Sequence, residues 1–277
     1  MLQKHIIRRI VQTAIEEDTG EADVTTAAAL TGEETGKALA LAKSVVVVAG
    51  IDVFEETFLF LDPGMKFTGC CNDGDVVGKG GRIAEISGNL SRILTAERVA
   101  LNFLQRMCGI ATFTRQYVDE VKGTKAKILD TRKTAPGLRY LDKYAVRIGG
   151  GHNHRFGLYD GVLIKDNHIV AAGGISQALA RVRGRLPHTL KVEIEVKNLQ
   201  ELEEAVNSGA DVIMLDNMSL EDMRKAVAAA GGRVPLEASG NVTLANVRQI
   251  AKTGVDFISV GALTHSVPAS DISLKIE

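Results

Sequence analysis

The chain has 277 residues, a formal net charge of −1 at pH 7, and 45% hydrophobic and 24% charged residues. This length is enough for one large domain or two smaller ones with a buried core, and the composition is that of an ordinary globular protein. The near-zero charge gives no general reason to bind nucleic acid or an anionic membrane. We therefore expect neither as a partner, and any anion site must come from a local concentration of basic side chains.

The N-terminal residues predict an amphipathic helix over about 3–17, because isoleucine and valine recur there at helical spacing. They contain no apolar signal core, and the longest apolar run, 45–51, is far shorter than the roughly 20 residues that span a bilayer. Three cysteines have neither disulfide-framework nor zinc-ligand spacing. We interpret them as thiols of a reducing compartment, and we expect a cytoplasmic protein; they are Cys70, Cys71 and Cys108.

The next part of the chain mixes short strands with a helix. Strands are predicted around 36–48 and 65–70, with a helix over 51–60 between them. The segment DGDVVGKGGRIAEISG (73–88) predicts short antiparallel strands with tight turns. Its VGKGG lacks the spacing of a phosphate-binding loop and runs into a strand, so we interpret it as a turn.

A long helical pattern from about 91 to 122 joins two halves of different character, and Gly109 is expected to interrupt it. After this helix, short apolar runs alternate with helical segments. Such alternation predicts a parallel sheet, and six or seven units suggest a closed β/α barrel. We place the first domain at 1–110 and the barrel domain at 111–265, and expect the tail 266–277 to pack on the first domain.

Each apolar run of the second half ends in, or is followed by, a residue suited to chemistry. Barrel active sites are built at the C-terminal ends of the strands, so we expect these groups to meet at one rim. The runs are AKILDT (126–131), DGVLIK (160–165), KVEIEV (191–196), ADVIMLD (210–216), VPLEAS (234–239) and FISVGA (257–262), and the residues are Asp130-Thr131-Arg132-Lys133, Lys165, Glu195, Asp216, Ser239-Gly240 and Gly261.

Basic residues are concentrated between Asp130 and His168, where seven lysines and arginines stand against four aspartates, before three histidines are counted. Arginine grips a carboxylate through two parallel hydrogen bonds, while lysine acts as a compact point charge. Several together imply a ligand with more than one negative charge; an exposed basic loop is the alternative. The seven are Arg132, Lys133, Arg139, Lys143, Arg147, Arg155 and Lys165.

Two carboxylates end neighbouring strands of the predicted barrel. Glu195 and Asp216 lie one β/α unit apart, and such oxygen ligands with open positions suit Mg²⁺, which usually keeps several waters and a substrate phosphate. Glu193 lies two residues before Glu195, shares its strand face and is a candidate to point inward. A structural salt bridge to Lys165 or Lys191 is the alternative.

Two glycine-bearing loops near the end of the chain have the features of a phosphate site. They are EASGN (237–241) and SVGALTH (259–265), in which Gly240 and Gly261 allow backbone N–H groups to approach an anion. A helix expected from Thr243 would add the partial positive charge of its N-terminus. The last two strands of a barrel commonly hold such sites.

The glycine triplet 149–151 has a different interpretation. It follows a predicted helix whose first turn contains Pro136, and therefore indicates a helix stop and a sharp turn. The pair His152 and His154 has zinc-ligand character, but further ligands are needed and cationic surroundings repel a metal. We predict hydrogen bonding or charge donation by His154 beside Arg155, with plain structural use as the alternative.

The segment DTRKTAPGLRYLDKYAVRIGGGHNHRFGLYDGVLIKDNHI (130–169) resembles the signature of the quinolinate phosphoribosyltransferase family. The similarity covers nearly the whole chain. It departs at Ala22, where a glycine is usual, and at Ala135, which replaces a common threonine. The other similar segments are EDTGEADVTT (17–26), TAERVALNFLQ (95–105), KVEIEV, VIMLDN, LEASGN and VGALTHS (260–266).

The resemblance implies an α/β fold, with an N-terminal α/β sandwich domain followed by an incomplete, seven-stranded β/α barrel. It implies a pentosyltransferase that converts quinolinate and phosphoribosyl pyrophosphate to nicotinate mononucleotide, pyrophosphate and CO₂, a step of NAD biosynthesis. It also implies a homodimer in which Arg98 reaches the neighbouring subunit's pocket. Glu195 and Asp216 are the residues implied to bind both the Mg²⁺ ion and the ribose hydroxyls.

Further residue roles follow from the resemblance. Quinolinate is a pyridine dicarboxylate, which would account for the cations. The residues implied around it are Arg132, Lys133, His154, Arg155 and Lys165; those around the 5′-phosphate are Ser239, Gly240, Asn241, Gly261 and His265; and the catalytic groups are Lys133, Lys165, Glu195 and Asp216. Two alternatives stay open: a paralogous phosphoribosyltransferase of the molybdenum-transport-associated type, and a non-catalytic barrel that binds sugar phosphates.

Overall fold

The computed structural model describes residues 2–277, and no helix within that range combines the length and the apolar character needed to cross a membrane. The chain divides into two compact units, each continuous only in part along the sequence. The first contains the chain up to Arg115 with Ala135–Gly150 and Ser266–Glu277, and the second contains Gln116–Thr134 and Gly151–His265.

The secondary structure mixes helices and strands throughout, with short strands in the second half. The helices are α1 (Lys4–Thr19), α2 (Val24–Ala29), α3 (Ile51–Leu61), α4 (Leu90–Glu120), α5 (Arg139–Ile148), α6 (Asp166–Ala172), α7 (Ile175–Arg183), α8 (Leu199–Asn207), α9 (Leu220–Ala230), α10 (Val247–Ala251) and α11 (Ala262–His265). The strands are β1 (Thr35–Ala42), β2 (Val46–Val47), β3 (Lys66–Gly69), β4 (Val76–Val77), β5 (Arg82–Asn89), β6 (Lys127–Leu129), β7 (Val162–Ile164), β8 (Val192–Val196), β9 (Val212–Asp216), β10 (Leu236–Ser239), β11 (Phe257–Ser259) and β12 (Ile272–Ile276).

The first unit is built on a four-stranded antiparallel sheet in the order β12-β1-β5-β3. The last strand of the chain lies beside β1, with Ile272 opposite Ala42. Helix α1 packs on α3 and buries Ile7, Val11 and Ile15, which recur every four residues and so share one face. The predicted N-terminal helix and the helix near 51–60 are confirmed.

The long helix α4 is also confirmed, but the expectation that Gly109 interrupts it is wrong, since the helix runs unbroken to Glu120. A Cβ atom at position 109 would collide with the carbonyl oxygen of Pro268. Gly109 therefore serves the close passage of the C-terminal segment over the helix. A helical glycine in a sequence is consistent with either role, and only the position of the tail decides between them.

The second unit contains six parallel strands in the order β6-β11-β10-β9-β8-β7, with helices between most of them. All six predicted apolar runs contain one of these strands, which confirms the α/β fold class. The seventh position beside β6 is held by a single parallel bridge between Leu129 and His152. The ladder ends there because the Asp130 carboxylate accepts the backbone N–H of His154 at 2.8 Å and the Asn153 side-chain amide at 2.6 Å.

The glycine triplet ends α5 as predicted, with Gly149 as the C-terminal cap. The helix itself begins at Arg139, three residues after Pro136, so the proline lies in the preceding turn. Gly149 has a second function, because a Cβ atom there would lie 2.5 Å from the carbonyl oxygen of Ala111 in α4. The triplet is thus a helix stop that also permits close packing of two helices.

Candidate active site

One cavity of about 1000 Å³ lies in the second unit, where the parallel strands end. Twelve of the thirteen predicted substrate-binding residues line it, contributed by all six strand ends and by the segment after His152. They are Arg132, Lys133, His154, Arg155, Lys165, Glu195, Asp216, Ser239, Gly240, Asn241, Gly261 and His265. The strand-end rule accounts for eight of these residues, and His154, Arg155, Asn241 and His265 were expected on other grounds, chiefly the family resemblance.

Arg98 is the predicted residue that does not line this cavity. It lies on α4, is exposed, and forms no hydrogen bond or ion pair with any other residue in the described range 2–277.

The basic residues of the cavity come from the two edges of the open sheet, after β6 and His152 on one side and after β7 on the other. Arg155 connects these edges, since its Nη1 donates to the carbonyl oxygen of Gly161 at 2.9 Å. Its buried Nε–H has no acceptor among residues 2–277 and is available to an anion. Burial, followed by the nearby charge of Arg132, lowers the pKa of the Arg155 guanidinium.

Lysine side chains complete the basic sector. Lys165 is half exposed, and its Nζ lies 3.2 Å from a carboxylate oxygen of Glu195. Lys133 is held through its backbone, because the Thr264 hydroxyl donates to the Lys133 carbonyl at 2.8 Å. A Cβ atom added to Gly261 would lie 3.1 Å from Cδ of Lys133, so the lysine stem passes directly over that glycine.

The local charge count overestimated the basic sector. Three of the seven counted cations, Arg139, Lys143 and Arg147, lie on α5 in the first unit and do not line the cavity. Four cations remain in the lining, and they face an equal number of acidic side chains. The site therefore has separate basic and acidic sectors rather than a uniform positive field, because proximity along the chain does not determine which unit a helix joins.

The acidic sector comes from the central strands. Glu195 on β8 lies opposite Met214 of β9, and Asp216 follows two residues later on the same strand face. Asp216 accepts a hydrogen bond from the side-chain amide of Asn217 at 2.9 Å. Lys165 and Glu195 form a salt bridge, which is the alternative to a metal role for Glu195, and the pair lies within the cavity lining.

A buried cluster adjoins the cavity. Glu193 points inward as anticipated, and its carboxylate lies 2.8 Å from Nε2 of His154. Glu237 on β10, which is not among the predicted site residues, lies 4.0 Å from the same nitrogen. It precedes Ser239 by two residues, as Glu193 precedes Glu195. Because residues two apart in a strand share a face, the same rule predicts that Glu237 points inward.

This cluster strongly perturbs one carboxyl group. Glu237 is 2% exposed, and burial, followed by the charge of Glu193, raises the pKa of its carboxyl to about 8. The ligand atoms of Glu237, Glu193 and His154 lie within 4.8 Å of one another, which is compatible with metal-ligand spacing. His152, the other half of the histidine pair, is exposed and lies outside the cluster.

The loops after β9 and β10 have unusual backbone conformations. Asn217 and Asn241 are the only non-glycine residues between 2 and 277 with positive φ, at 54° and 51°, and both line the cavity. Gly240 between them has φ 100°, and a Cβ atom there would collide with the Asn217 side chain. Such conformations concentrate at ligand sites, where surrounding structure holds them in place.

The helix expected from Thr243 is wrong in its start, since α10 begins at Val247 and has only five residues. The Thr243 N–H instead donates to the side chain of Asn246 at 2.8 Å, which forms a turn. The predicted contribution of a helix dipole to a phosphate site at this loop is therefore withdrawn. Thr243 itself still lines the cavity.

These features define a class of protein, the β/α-barrel proteins that bind small anions. The cavity presents arginines and lysines beside paired strand-end carboxylates and two glycine loops. It can therefore bind small molecules with several negative charges.

Comparison with known proteins identifies the family. Residues 23–108 match the quinolinate phosphoribosyl transferase N-terminal domain, and residues 110–275 match the C-terminal domain of the same family. The chain belongs to the quinolinate phosphoribosyltransferase family, a family of enzymes.

Individual relatives are similar over almost the whole chain. A probable carboxylating nicotinate-nucleotide pyrophosphorylase of Bacillus subtilis is 43% identical over 270 residues, covering 98% of this chain and 93% of the relative. A chloroplastic carboxylating nicotinate-nucleotide pyrophosphorylase of Arabidopsis thaliana is 47% identical over 290 residues, covering 98% and 83%. The solved nicotinate-nucleotide pyrophosphorylase of Francisella tularensis superposes with a TM-score of 0.96 at 43% identity, covering 100% of this chain and 98% of that one.

Proposed function

We propose that the chain transfers the phosphoribosyl group of phosphoribosyl pyrophosphate to quinolinate and releases CO₂ and pyrophosphate, which yields nicotinate mononucleotide for NAD biosynthesis. The observation that carries this proposal is the division of one cavity into a basic sector and an acidic sector. A pyridine dicarboxylate needs the first sector, and a ribosyl cation that forms beside it needs the second. Membership in the family supports the same reaction.

Four cations of the lining would hold the dicarboxylate. The free Nε–H of Arg155 and the guanidinium of Arg132 are suited to bidentate carboxylate contacts, while Lys165 supplies a point charge. A single carboxylate would not require so many positive groups. This argument favours quinolinate over a monocarboxylate such as nicotinate as the acceptor, and it also disfavours the molybdenum-transport-associated paralogue.

The bond changes balance without a protein nucleophile. The pyridine nitrogen attacks C1 of the ribose while the bond from C1 to the pyrophosphate oxygen breaks, and positive charge develops on the sugar. The carboxylates of Glu195 and Asp216 are fixed negative groups that stabilise this charge. The quaternised ring then accepts the electron pair of the adjacent C–C bond as CO₂ leaves, and a proton replaces the carboxylate.

We propose Mg²⁺ as the cofactor, held by Glu195 and Asp216. Their carboxylates fit a hard cation, since both are oxygen ligands in the lining of a cavity large enough for a phosphorylated co-substrate. When bound, the ion supplies charge neutralisation of the departing pyrophosphate.

The glycine loops would bind the 5′-phosphate. Ser239, Gly240, Asn241, Gly261 and His265 line one part of the cavity. We assign Lys133 to the phosphoribosyl co-substrate as well as to the acceptor, because its stem lies against Gly261 while its neighbour Arg132 belongs to the basic sector.

The reaction is tested by incubating the purified chain with carboxyl-labelled quinolinate, phosphoribosyl pyrophosphate and Mg²⁺, and measuring labelled CO₂ and nicotinate mononucleotide. Lys165→Ala tests the basic sector, and Lys225→Ala is its matched control, since Lys225 is a half-exposed lysine in an ion pair on α9. No product with quinolinate, with or without turnover of nicotinate, would refute the proposal. Binding of phosphoribosyl pyrophosphate without any turnover would favour a non-catalytic barrel.

We further propose that the enzyme acts as a homodimer in which Arg98 enters the neighbouring subunit's cavity. The guanidinium of Arg98 supports this assignment, because it is exposed, lies outside the chain's own cavity and pairs with no other residue of 2–277. In a two-fold dimer, Arg98→Ala and Lys165→Ala subunits should complement each other, because both defects then fall in the same site. A co-purified mixed dimer should recover about half of the wild-type activity. Activity no higher than that of either single variant would contradict the shared site.

We also assign the chain to the cytoplasm, on the ground that its three thiols are free. Some plant relatives bear chloroplastic or mitochondrial names, so a fluorescent fusion in the source cell is the appropriate test.

A further inference from the structure

The buried cluster beside the cavity contains a histidine whose two ring nitrogens both have partners. Nε2 of His154 lies 2.8 Å from a carboxylate oxygen of Glu193. Nδ1 accepts the backbone N–H of Arg155 at 2.8 Å. A ring nitrogen that accepts an N–H bond carries no proton. With Nδ1 as an acceptor, the tautomer that satisfies both contacts carries its ring proton on Nε2, where the Glu193 carboxylate accepts it.

Glu193 is well placed to impose this tautomer. It lies on β8, is 8% exposed, and is held between β7 and β9, which pair with β8 on either side. Glu237 on β10 approaches from an alternate strand, as expected for side chains that share one layer inside a barrel. The carboxylate of Glu193 fixes the ring orientation, much as carboxylates fix histidines in catalytic triads and metal sites.

The consequence for the cavity lies in Arg155. Its backbone N–H is fixed by the His154 ring, and its Nη1 is fixed by the carbonyl oxygen of Gly161 at 2.9 Å. The first contact fixes the main chain from which the side chain extends, the second fixes the guanidinium, and the buried Nε–H is left for a ligand. His154 itself has no ring proton left for a substrate carboxylate in this arrangement. Its contribution to anion binding is therefore exerted through Arg155.

We propose that Glu193 and His154 are positioning residues: Glu193 holds His154 as the neutral Nε2–H tautomer, and His154 orients Arg155 toward a carboxylate of the acceptor. This inference rests on the proposed function for the identity of that acceptor. It replaces the sequence-based expectation that His154 contacts the dicarboxylate directly. A divalent metal held by His154, Glu193 and Glu237 is the competing assignment, and it is excluded only if Nε2 carries a proton.

The direct test is spectroscopic and needs no substrate. The full chain is prepared with ¹⁵N-labelled histidine, and the ring resonances at pH 7.5 are compared with those of His154→Gln to identify His154. We expect Nδ1 to resonate as an unprotonated nitrogen and Nε2 as a protonated one. A doubly protonated ring, a proton on Nδ1, or a stoichiometric metal that is lost in Glu237→Gln would overturn the proposal.

The kinetic test separates positioning from a general structural role. Glu193→Leu should raise KM for quinolinate by about tenfold, the effect of one charge-assisted hydrogen bond, while KM for phosphoribosyl pyrophosphate changes less than about twofold. Glu193→Gln keeps a carbonyl acceptor and should restore most of the quinolinate affinity. Glu203→Gln on the exposed face of α8 is the matched control.

The two tests also separate the positioning role of Glu193 and His154 from the proposed function. Equal losses for both substrates in Glu193→Leu, or no recovery in Glu193→Gln, would contradict a positioning role even if the enzyme turns over quinolinate. The expected tautomer in a protein that does not use quinolinate would instead refute the proposed function while leaving the geometry of Glu193 and His154 intact.

Discussion

Glu237→Gln should change the pH dependence of stability, because Glu237 is the carboxyl group that burial affects most clearly in the site. It is 2% exposed, and burial, followed by the charge of Glu193, raises the pKa of its carboxyl to about 8 from an ordinary value of 4.5. At neutral pH the native state therefore keeps this carboxyl protonated, whereas the unfolded chain ionises it. Glutamine has nearly the shape of a protonated glutamate and does not titrate.

The sign of the effect follows from proton linkage. A group whose pKa is raised on folding contributes stability that is fully present below its unfolded pKa and is lost as the pH rises through its folded pKa. Within that window, one proton corresponds to about 1.4 kcal/mol for each pH unit. Between pH 5.5 and 7.5 the wild-type protein should therefore lose roughly 2–3 kcal/mol that Glu237→Gln does not lose.

Urea unfolding monitored by far-ultraviolet circular dichroism at pH 5.5, 6.5 and 7.5 measures this difference, with Glu203→Gln as an exposed control. The stability of Glu237→Gln relative to wild type should increase steadily with pH, while that of Glu203→Gln should stay constant. A difference that is constant or decreases with pH would refute the assignment of a protonated carboxyl at Glu237.

Three further predictions concern separate parts of the chain. Lys165→Ala should lower kcat/KM for quinolinate by an amount that corresponds to about 1.5–3 kcal/mol of transition-state free energy, the scale of a charged hydrogen bond. Lys225→Ala should have no effect in the same steady-state assay. Asp142→Ala should destabilise the first unit by roughly 2–4 kcal/mol in thermal unfolding, because Asp142 is fully buried and accepts two hydrogen bonds at 2.8 Å from Arg106. A loss below about 1 kcal/mol would show that Arg106 is satisfied by solvent. Burial raises the pKa of the Cys108 thiol to about 12, so iodoacetamide at pH 8 should alkylate it only after unfolding, as measured by peptide mass spectrometry; labelling of native protein at the unfolded rate would contradict this.

Much of the site could be predicted from the sequence because its rule is local. A buried strand shows itself as a short apolar run, and the residue after it lies at the end where barrel sites form. This rule predicts that Lys165, Glu195, Asp216 and Gly261 meet at one rim, whatever the pairing of the strands, and all four line the cavity. The alternation of side chains between the two faces of a strand likewise predicts that Glu193 points inward, and Glu193 is buried.

Two of the errors share one origin, which is contact between residues distant in sequence. Arg139 lies within the basic segment of the sequence yet belongs to α5 in the first unit. Gly109 has the character of a helix breaker and instead allows the C-terminal segment to pass. The third error is local, because the side chain of Asn246 accepts the N–H of Thr243 three residues before it and the expected helix starts later. Hydrophobic period and residue type do not encode these partners.

The sequence by itself determined which segments become strands and helices, and which side chains stand at the strand ends, since both depend on residues a few positions apart. Only the tertiary structure decided that Glu193 and Glu237 from alternate strands meet beside His154, and that this histidine's two nitrogens are committed to Glu193 and to the backbone of Arg155. The physical reason is that tautomer and pKa depend on distances of a few ångströms between groups far apart along the chain. The curvature and strand order of the barrel set those distances.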